Sequence, residues 1–324
     1  MFQSILLFAV GLVLLIKGGD WFVDGATGIA KRFNLPDIVV GATVVSIGTT
    51  LPEVMVSTTG ALSGSGAMAY GNAIGSIICN TALIAAISIV CNPGPVNVKS
   101  MKTPAIFFFI SAGLYCLASY VLGTFPRWMG FVMLAIFVDY MVTTVISGMK
   151  NPDESHGDDE EESKQRTLLM ELILLVAGAA VIAVGADFLV EHGQIIAIGL
   201  GVPETVVALL FVALGTSLPE LVTTITSLRS GHASLGVGNV IGANVFNLVL
   251  VSGVAVSLAP FDVPCENFLL NTGLNMSLVF EIPVMLGVMA LMIFPTLAKK
   301  KLSRWQGILL LGIYVAFCIC QFVL

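Results

Sequence analysis

The sequence predicts an all-α polytopic membrane protein whose ten transmembrane helices form two inverted five-helix repeats. Three observations predict it. The 324 residues are 57% hydrophobic and only 10% charged, against about 25% charged in an ordinary soluble domain. Ten apolar stretches reach about 20 residues, the length that spans a bilayer. One pattern also occurs twice, 167 residues apart: Gly48-Thr49-Thr50-Leu51-Pro52-Glu53 returns as Gly215-Thr216-Ser217-Leu218-Pro219-Glu220.

The first span, 3–24, lacks the basic start and small-residue cleavage site of a secretory signal, so it is read as helix 1. Spans 37–62, 67–91, 103–123 and 127–149 complete a first repeat, residues 1–149. The second span carries the hexapeptide. The third carries Gly71-Asn72-Ala73-Ile74-Gly75-Ser76-Ile77-Ile78-Cys79-Asn80, which returns in the eighth as Gly238-Asn239-Val240-Ile241-Gly242-Ala243-Asn244-Val245-Phe246-Asn247. Pro36 likewise falls on Pro203, so the register holds from about residue 36 to 80 without a gap. Residues 150–166 form a linker with seven acids: Asp153, Glu154, Asp158, Asp159, Glu160, Glu161 and Glu162. Such a run reads as solvated chain, with weak calcium sensing as the alternative. Spans 167–191, 203–228, 234–258, 275–295 and 304–324 form the second repeat, residues 167–324. Because each repeat has an odd number of spans, the second enters the membrane upside down, and the substrate site is expected at the repeat interface near the bilayer centre.

Basic residues fix the orientation. With the amino terminus on one side and strict alternation, the other side receives Lys31, Arg32, Lys99, Lys102, Lys150, Lys164, Arg166, Arg229, Lys299, Lys300, Lys301 and Arg304. The first side receives only Arg127, and Lys17 lies within helix 1. Short basic loops stay cytoplasmic. Both termini are therefore expected outside a plasma membrane, the inner membrane of a bacterium, with the acidic linker inside. The net charge of −6 belongs largely to that linker and implies no nucleic-acid partner. The six cysteines show no metal or disulfide spacing; Cys79, Cys91, Cys116, Cys318 and Cys320 read as small hydrophobes and Cys265 as a loop residue. No cofactor is expected, and protein partners are left open.

The hexapeptides carry the chemistry. A carboxylate inside apolar sequence costs about 2.5–3.5 kcal/mol even on the lenient insertion scale, and such residues mark ion paths. Pro52 and Pro219 lack an N–H and crowd the carbonyls of Gly48 and Gly215, which predicts a broken helix in each half. Freed carbonyls at membrane depth are tolerated only where they are buried or line a cavity. Thr49, Thr50 and Glu53 share a helical face, and so do Thr216, Ser217 and Glu220. Carboxylates, hydroxyls and carbonyls make an all-oxygen set that suits a hard cation such as calcium. Asn72, Ser76 and Asn80 form a polar stripe at i, i+4 and i+8, matched by Asn239, Ala243 and Asn247. Asn72 and Asn239 read as helix locks, Asn80 and Asn247 as ligands. Gly71 with Gly75, and Gly238 with Gly242, have the spacing of closely packed membrane helices.

Asp20 and Asp187 match across the repeat and read as interfacial, with a shared funnel role as the alternative. Asp139, mid-span in helix 5, reads as an auxiliary proton or cation site or as a buried acid bonded to a nearby Tyr or Thr. Glu171 and Glu281 lie nearer the interfaces and receive no function. His156, His192 and His232 fall in loops and read as solvated.

These motifs resemble those of the calcium/cation antiporter superfamily, specifically the prokaryotic sodium/calcium exchangers, over the whole chain. The resemblance implies that Glu53 and Glu220 coordinate calcium and share in sodium binding. It implies calcium ligation by the carbonyls of Thr49 and Thr216, and sodium sites using Thr50, Ser217 and Ser76 with the carbonyls of Ser46 and Ala213. Asn80 and Asn247 complete the substrate site, and helices 1 and 6 slide across the other eight. The implied activity is secondary antiport of calcium against sodium, with these ions and the lipid bilayer as the partners. Two departures stand out: the well-studied exchangers carry an aspartate where this chain has Asn247 and a serine where it has Ala243. The alternative they favour is calcium/proton exchange, with protons as partners. A calcium-permeable channel also uses acidic rings, but inverted repeats around two carboxylates suit alternating access better. An intramembrane hydrolase lacks a nucleophile–base pair here, so no enzymatic activity is expected.

Overall fold

The computed structural model describes residues 2–150, 167–199, 215–264 and 275–323. The chain forms α1 (Phe2–Arg32), α2 (Asp37–Leu62), α3 (Gly66–Cys91), α4 (Val98–Leu122) and α5 (Arg127–Lys150). The second half contributes α6 (Leu168–Gly199), α7 (Leu218–Arg229), α8 (Ala233–Leu258), α9 (Ser277–Lys299) and α10 (Arg304–Val323). Among the described residues nine of these are long and apolar enough to cross a membrane. The tenth, α7, is the described part of the predicted span 203–228. This is the helical, polytopic membrane architecture the composition predicts.

Two helices outrun their predicted cores. α1 continues past residue 24 to Arg32, because its last turns bury Gly25, Ala26, Ile29 and Ala30 against α6. The ends tie together where Arg32 donates two hydrogen bonds to Glu171, at 2.8 and 3.1 Å. α6 extends to Gly199 and so takes in His192, which is a helical residue and not a loop one.

Four short strands test the alternation of loops. β1 (Gly94–Pro95) and β4 (Lys301–Leu302) pair antiparallel, joining the α3–α4 loop to the α9–α10 loop. β2 (Thr124–Phe125) and β3 (Phe261–Asp262) pair likewise, joining the α4–α5 loop to the α8–α9 loop. Each ladder joins loops that strict alternation assigns to one membrane side. The strands also obey the repeat, since β1 shifted by 167 residues falls on β3.

Among the described residues three apolar clusters form, the smallest around Ala61, Ala69 and Ala255, and the two others organise the interior. The larger holds α3, α4, α5, α8 and α9 together around residues such as Tyr115, Phe125, Tyr140, Phe246 and Met289. The smaller joins α1 and α6 to the start of α2 through Phe22, Val23, Val40, Leu175 and Ile182. α1 and α6 approach backbone to backbone: a Cβ on Gly178 would stand 2.5 Å from the Phe22 nitrogen.

α2 and α8, one from each half, meet even more closely. A Cβ on Gly238 would lie 2.2 Å from the Ile38 carbonyl oxygen, and one on Gly41 would lie 2.1 Å from that of Leu235. Gly238→Ala is therefore expected to cost about 1–3 kcal/mol through overpacking. Gly113→Ala, where a Cβ would meet nothing within 4 Å, should stay within about 0.5 kcal/mol of the parent. Thermal unfolding of the detergent-solubilised protein checks the contrast; equal midpoints would contradict the close approach.

Candidate functional site

The two hexapeptides meet inside the bundle, but they are not built alike. In the first, the helix runs from Ser46 to Leu62 straight through Pro52, so the predicted break there is not found. A π-helical segment, Gly41–Val45, lies about two turns before Pro52. In the second, the break is real: Thr216 and Ser217 form a turn, and α7 starts at Leu218 with Pro219 in its first turn. Proline is at home there because the N–H it lacks has no intrahelical partner. Glu53 is thus mid-helix, whereas Glu220 lies in a first helical turn.

Both carboxylates are 0% exposed and lie within electrostatic reach of each other. Among the described residues none of their four carboxyl oxygens has a hydrogen-bond partner. The Thr49 and Thr50 side chains face Glu220 from α2. Thr50 Oγ1 and Ser217 Oγ are buried and unpartnered, as are both side-chain polar atoms of Asn80 and of Asn247. Ser46, Thr49 and Ser76 are buried nearby in sequence, and Thr216 is half-buried. A burial this complete leaves charged and amide oxygens without solvent and without protein donors, which is costly unless a cation supplies the missing partner. Ala213 and Pro203 lie outside the described residues, as do Cys265, His156 and the acidic linker.

The amide stripes divide into residues bonded between helices and residues that are not. Asn72 donates to Ser57 Oγ at 2.8 Å and to the Glu53 carbonyl at 3.4 Å, locking α3 to α2. Asn239 accepts from Thr49 Oγ1 at 3.1 Å and from Ser46 Oγ at 3.2 Å, locking α8 to α2. Asn80 and Asn247 instead each begin a π-helical segment, Asn80–Ala85 and Asn247–Val251. Such segments leave main-chain carbonyls without helical partners and are frequent at functional sites. The same irregularity at the same repeat position is the clearest internal symmetry of the site.

Several residues around it were not singled out by sequence. Tyr140 of α5 donates to the Ala42 carbonyl at 2.7 Å, satisfying a main-chain oxygen within the π-helical segment of α2. Asn244 donates to Thr81 Oγ1 at 2.7 Å and lies 3.1 Å from Met289 Sδ. Its repeat equivalent is Ile77, so no doubled polar residue advertised it. Thr223, Thr224 and Ser227 bury unpartnered hydroxyls on α7 beyond Glu220.

A cleft of about 1170 Å³ separates α6 from both motifs, reaching Gly48, Pro52, Gly215 and Pro219. Asp187 and Glu191 line it; Asp187 on α6 and its repeat partner Asp20 on α1 are both exposed. Glu171, in the first turn of α6 as its interfacial reading has it, is buried against Arg32. Two expectations need correction. His232 is not simply solvated: half-buried, its Nδ1 lies 2.6 Å from Asp37 Oδ2, joining the starts of α8 and α2. Asp139 is not buried: it is exposed, with Thr143 Oγ1 donating to it at 3.1 Å.

Unpartnered and bonded amides should respond oppositely to mutation in the ion-free protein. Asn239→Ala is expected to cost about 1–3 kcal/mol, because a buried hydroxyl loses its acceptor. Glu53→Gln and Asn247→Leu are expected to leave the unfolding midpoint unchanged or raise it, since each removes a buried group that lacks a partner. Thermal unfolding in chelator, without sodium, checks this; a destabilised Glu53→Gln would show that its carboxylate is structurally paired.

Comparisons with known proteins converge on one family. The family model described as sodium/calcium exchanger protein matches residues 3–146 and 170–323. An uncharacterised membrane protein of Methanocaldococcus jannaschii is 32% identical, the match covering 95% of this chain and 94% of that one. The sodium/calcium exchanger MaX1 of Methanosarcina acetivorans is 31% identical over 98% of both chains. A solved structure of the sodium-calcium exchanger NCX_Mj, soaked with sodium and strontium, superposes with a TM-score of 0.79 at 30% identity, covering 97% of each chain.

Proposed function

The chain belongs to the sodium/calcium exchanger protein family, and we propose that it exchanges calcium for sodium across the membrane at a site built on Glu53 and Glu220. The observation that carries this reading is the pair of fully buried carboxylates whose oxygens have no hydrogen-bond partner among the described residues. One divalent cation neutralises them; so do two monovalent ones. The same groups therefore serve either ion but not both together, which is the condition for exchange rather than co-transport.

In this reading Glu53 and Glu220 hold calcium with the carbonyls of Thr49 and Thr216. Thr50, Ser217 and Ser76, with the carbonyls of Ser46 and Ala213, provide the sodium positions, and Asn80 and Asn247 complete the site with neutral amide oxygens. The two halves are residues 1–149 and 167–324, tied by the cytoplasmic linker 150–166. The asymmetry of basic residues supports a plasma-membrane location with both termini outside. The separate apolar cluster of α1 and α6 supports a movement of that pair across the other helices, opening one fixed site to each side in turn.

A second reading is favoured by one specific observation. Asn247 and Ala243 are buried beside the site without a charge, so protons are the alternative counter-ion. Calcium-45 uptake into proteoliposomes, under separately imposed sodium and proton gradients, separates the two. Uptake driven by sodium alone is the expected result.

Two substitutions sharpen the test. Glu53→Gln or Glu220→Gln leaves one carboxylate against a divalent ion, and exchange is expected to fall at least about 100-fold, roughly two decades for the loss of a charge-assisted contact. Near-parental flux in a folded variant would remove that residue from the site. Asn247→Asp adds a third negative charge, so the calcium-loaded site goes from near neutral to near −1 and accommodates further monovalent ions. Its calcium uptake is expected to depend more steeply on sodium than the parent's. An unchanged sodium dependence would mean that position 247 does not line the site.

A further inference from the structure

The turn that joins α4 to α5 and the turn that joins α9 to α10 share one design, used once in each half. In the first, Gly123 closes α4 in the left-handed conformation at φ +68°, and its carbonyl accepts from the Val263 N–H at 3.0 Å. In the second, Lys300 closes α9 at φ +54°, and its carbonyl accepts from the Val96 N–H at 3.1 Å. An Arg-Trp pair follows in both. Arg127 donates to the Leu258 carbonyl and Arg304 to that of Val90, each at 3.1 Å. The residues set into these matching frames differ. The first holds Gly123, Thr124 and one cation, Arg127; the second holds Lys299, Lys300, Lys301 and Arg304. Left-handed backbone favours glycine and strains a residue that carries a Cβ, so the second half keeps a strained lysine where glycine serves in the first. Such an outlier points to a use for the side chain. Orienting the chain in the membrane needs positive charge in the loop, but not a lysine at this one position.

All four cations are exposed, and no carboxylate pairs with any of them among the described residues. They border a hollow of about 600 Å³ whose other wall is Pro93, Gly94 and Pro95. Lys299 lies over the Trp305 ring, 5.5 Å from its centre. We propose that this hollow binds the headgroup of an anionic phospholipid that carries more than one negative charge. Its height favours a lipid over a soluble anion. α9 ends and α10 begins here, so the cations stand at the membrane boundary, with the exposed Trp305 in the belt where indoles gather. One turn further into the membrane, the exposed Ile308 and Leu309 of α10 offer an apolar surface for the acyl chains. Basic pockets between helices on the cytoplasmic side hold such headgroups, and the asymmetry of basic residues supports that side for this turn. Four cations without a carboxylate partner outnumber the single charge of an ordinary anionic headgroup, which favours the multiply charged class.

Native mass spectrometry of the purified chain in detergent tests this, with diphosphatidylglycerol, phosphatidylglycerol, phosphatidylcholine and inorganic pyrophosphate as the probes. The parent is expected to hold diphosphatidylglycerol more tightly than phosphatidylglycerol, and both more tightly than phosphatidylcholine or pyrophosphate. Lys300→Gly should weaken diphosphatidylglycerol binding about fivefold, the worth of one basic residue near an anionic surface. It should not lower the unfolding midpoint of the lipid-free protein, because glycine suits the left-handed turn. Lys299→Gln combined with Lys301→Gln should weaken binding about twentyfold by the same reckoning, and this variant decides the matter even if Lys300→Gly fails to fold. Lys31→Gln, which removes an exposed lysine from α1, should leave binding unchanged. Equal weakening by Lys31→Gln would reduce the effect to net charge and overturn the proposal. So would lipid binding that survives both substitutions in the hollow, or pyrophosphate held as tightly as the lipid. Binding that appears only after the acids of the linker 150–166 are neutralised would also overturn it, since the chain's own carboxylates would then fill the hollow.

Discussion

Two carboxylates buried inside the membrane-spanning bundle, with no hydrogen-bond partner for their oxygens among the described residues, are the constraint on which the rest of the structure depends. In water each is solvated; in the interior that solvation is lost, no ion pair with a basic side chain is found among the described residues, and their mutual repulsion adds to the cost. Such an arrangement persists only if something outside the chain completes it. The surrounding hydrogen bonds work to the same end. Asn72 and Asn239 hold α3 and α8 against α2, and Tyr140 satisfies a carbonyl of the π-helical segment. The walls are therefore held by groups that bond between helices, while the carboxylate oxygens between them have no hydrogen-bond partner among the described residues. A site that discriminates ions needs both properties, a rigid frame and unspent ligands.

The second constraint is mechanical. α1 and α6 touch each other through backbone-close glycine contacts and share an apolar cluster separate from the main core. Their contact with α2 and α8 includes an apolar patch of Phe22, Val23, Val40 and Leu235. The Arg32–Glu171 pair binds α1 and α6 to one another. His232 and Asp37, in contrast, tie elements within the core together. The unequal hexapeptides add an asymmetry: a continuous helix through Pro52 and a broken one before Pro219. The two halves of the site thus differ in the main chain that carries their glutamates.

Much of this was legible in the sequence, for identifiable reasons. Helices that must span lipid announce themselves by length and hydropathy, and a duplicated motif reveals its own symmetry, so the spans, Glu53, Glu220 and the Asn stripes could be read directly. What escaped depended on single contacts between distant segments. Nothing local marks Tyr140 as the partner of Ala42, or Asn244 as the partner of Thr81. His232 looked solvated because its partner Asp37 is 195 residues away. The helix through Pro52 shows a different failure. Proline does remove a hydrogen bond, yet the helix from Ser46 to Leu62 runs through it, because tertiary packing can override a local breaker. Asp139 reads from sequence as an auxiliary proton or cation site or as a buried acid bonded to a nearby Tyr or Thr; the Thr143 bond is present, but the residue is exposed, which spacing along one helix does not reveal.

The central claim is that the two glutamates create one site which calcium and sodium occupy in turn. Equilibrium binding of calcium-45 to the purified protein in detergent, measured across a range of sodium concentrations, tests it most directly. The account predicts one calcium per chain, displaced by sodium with a dependence steeper than first order because more than one sodium replaces it. Calcium binding that is indifferent to sodium, or that persists when both Glu53 and Glu220 are glutamine, would contradict it.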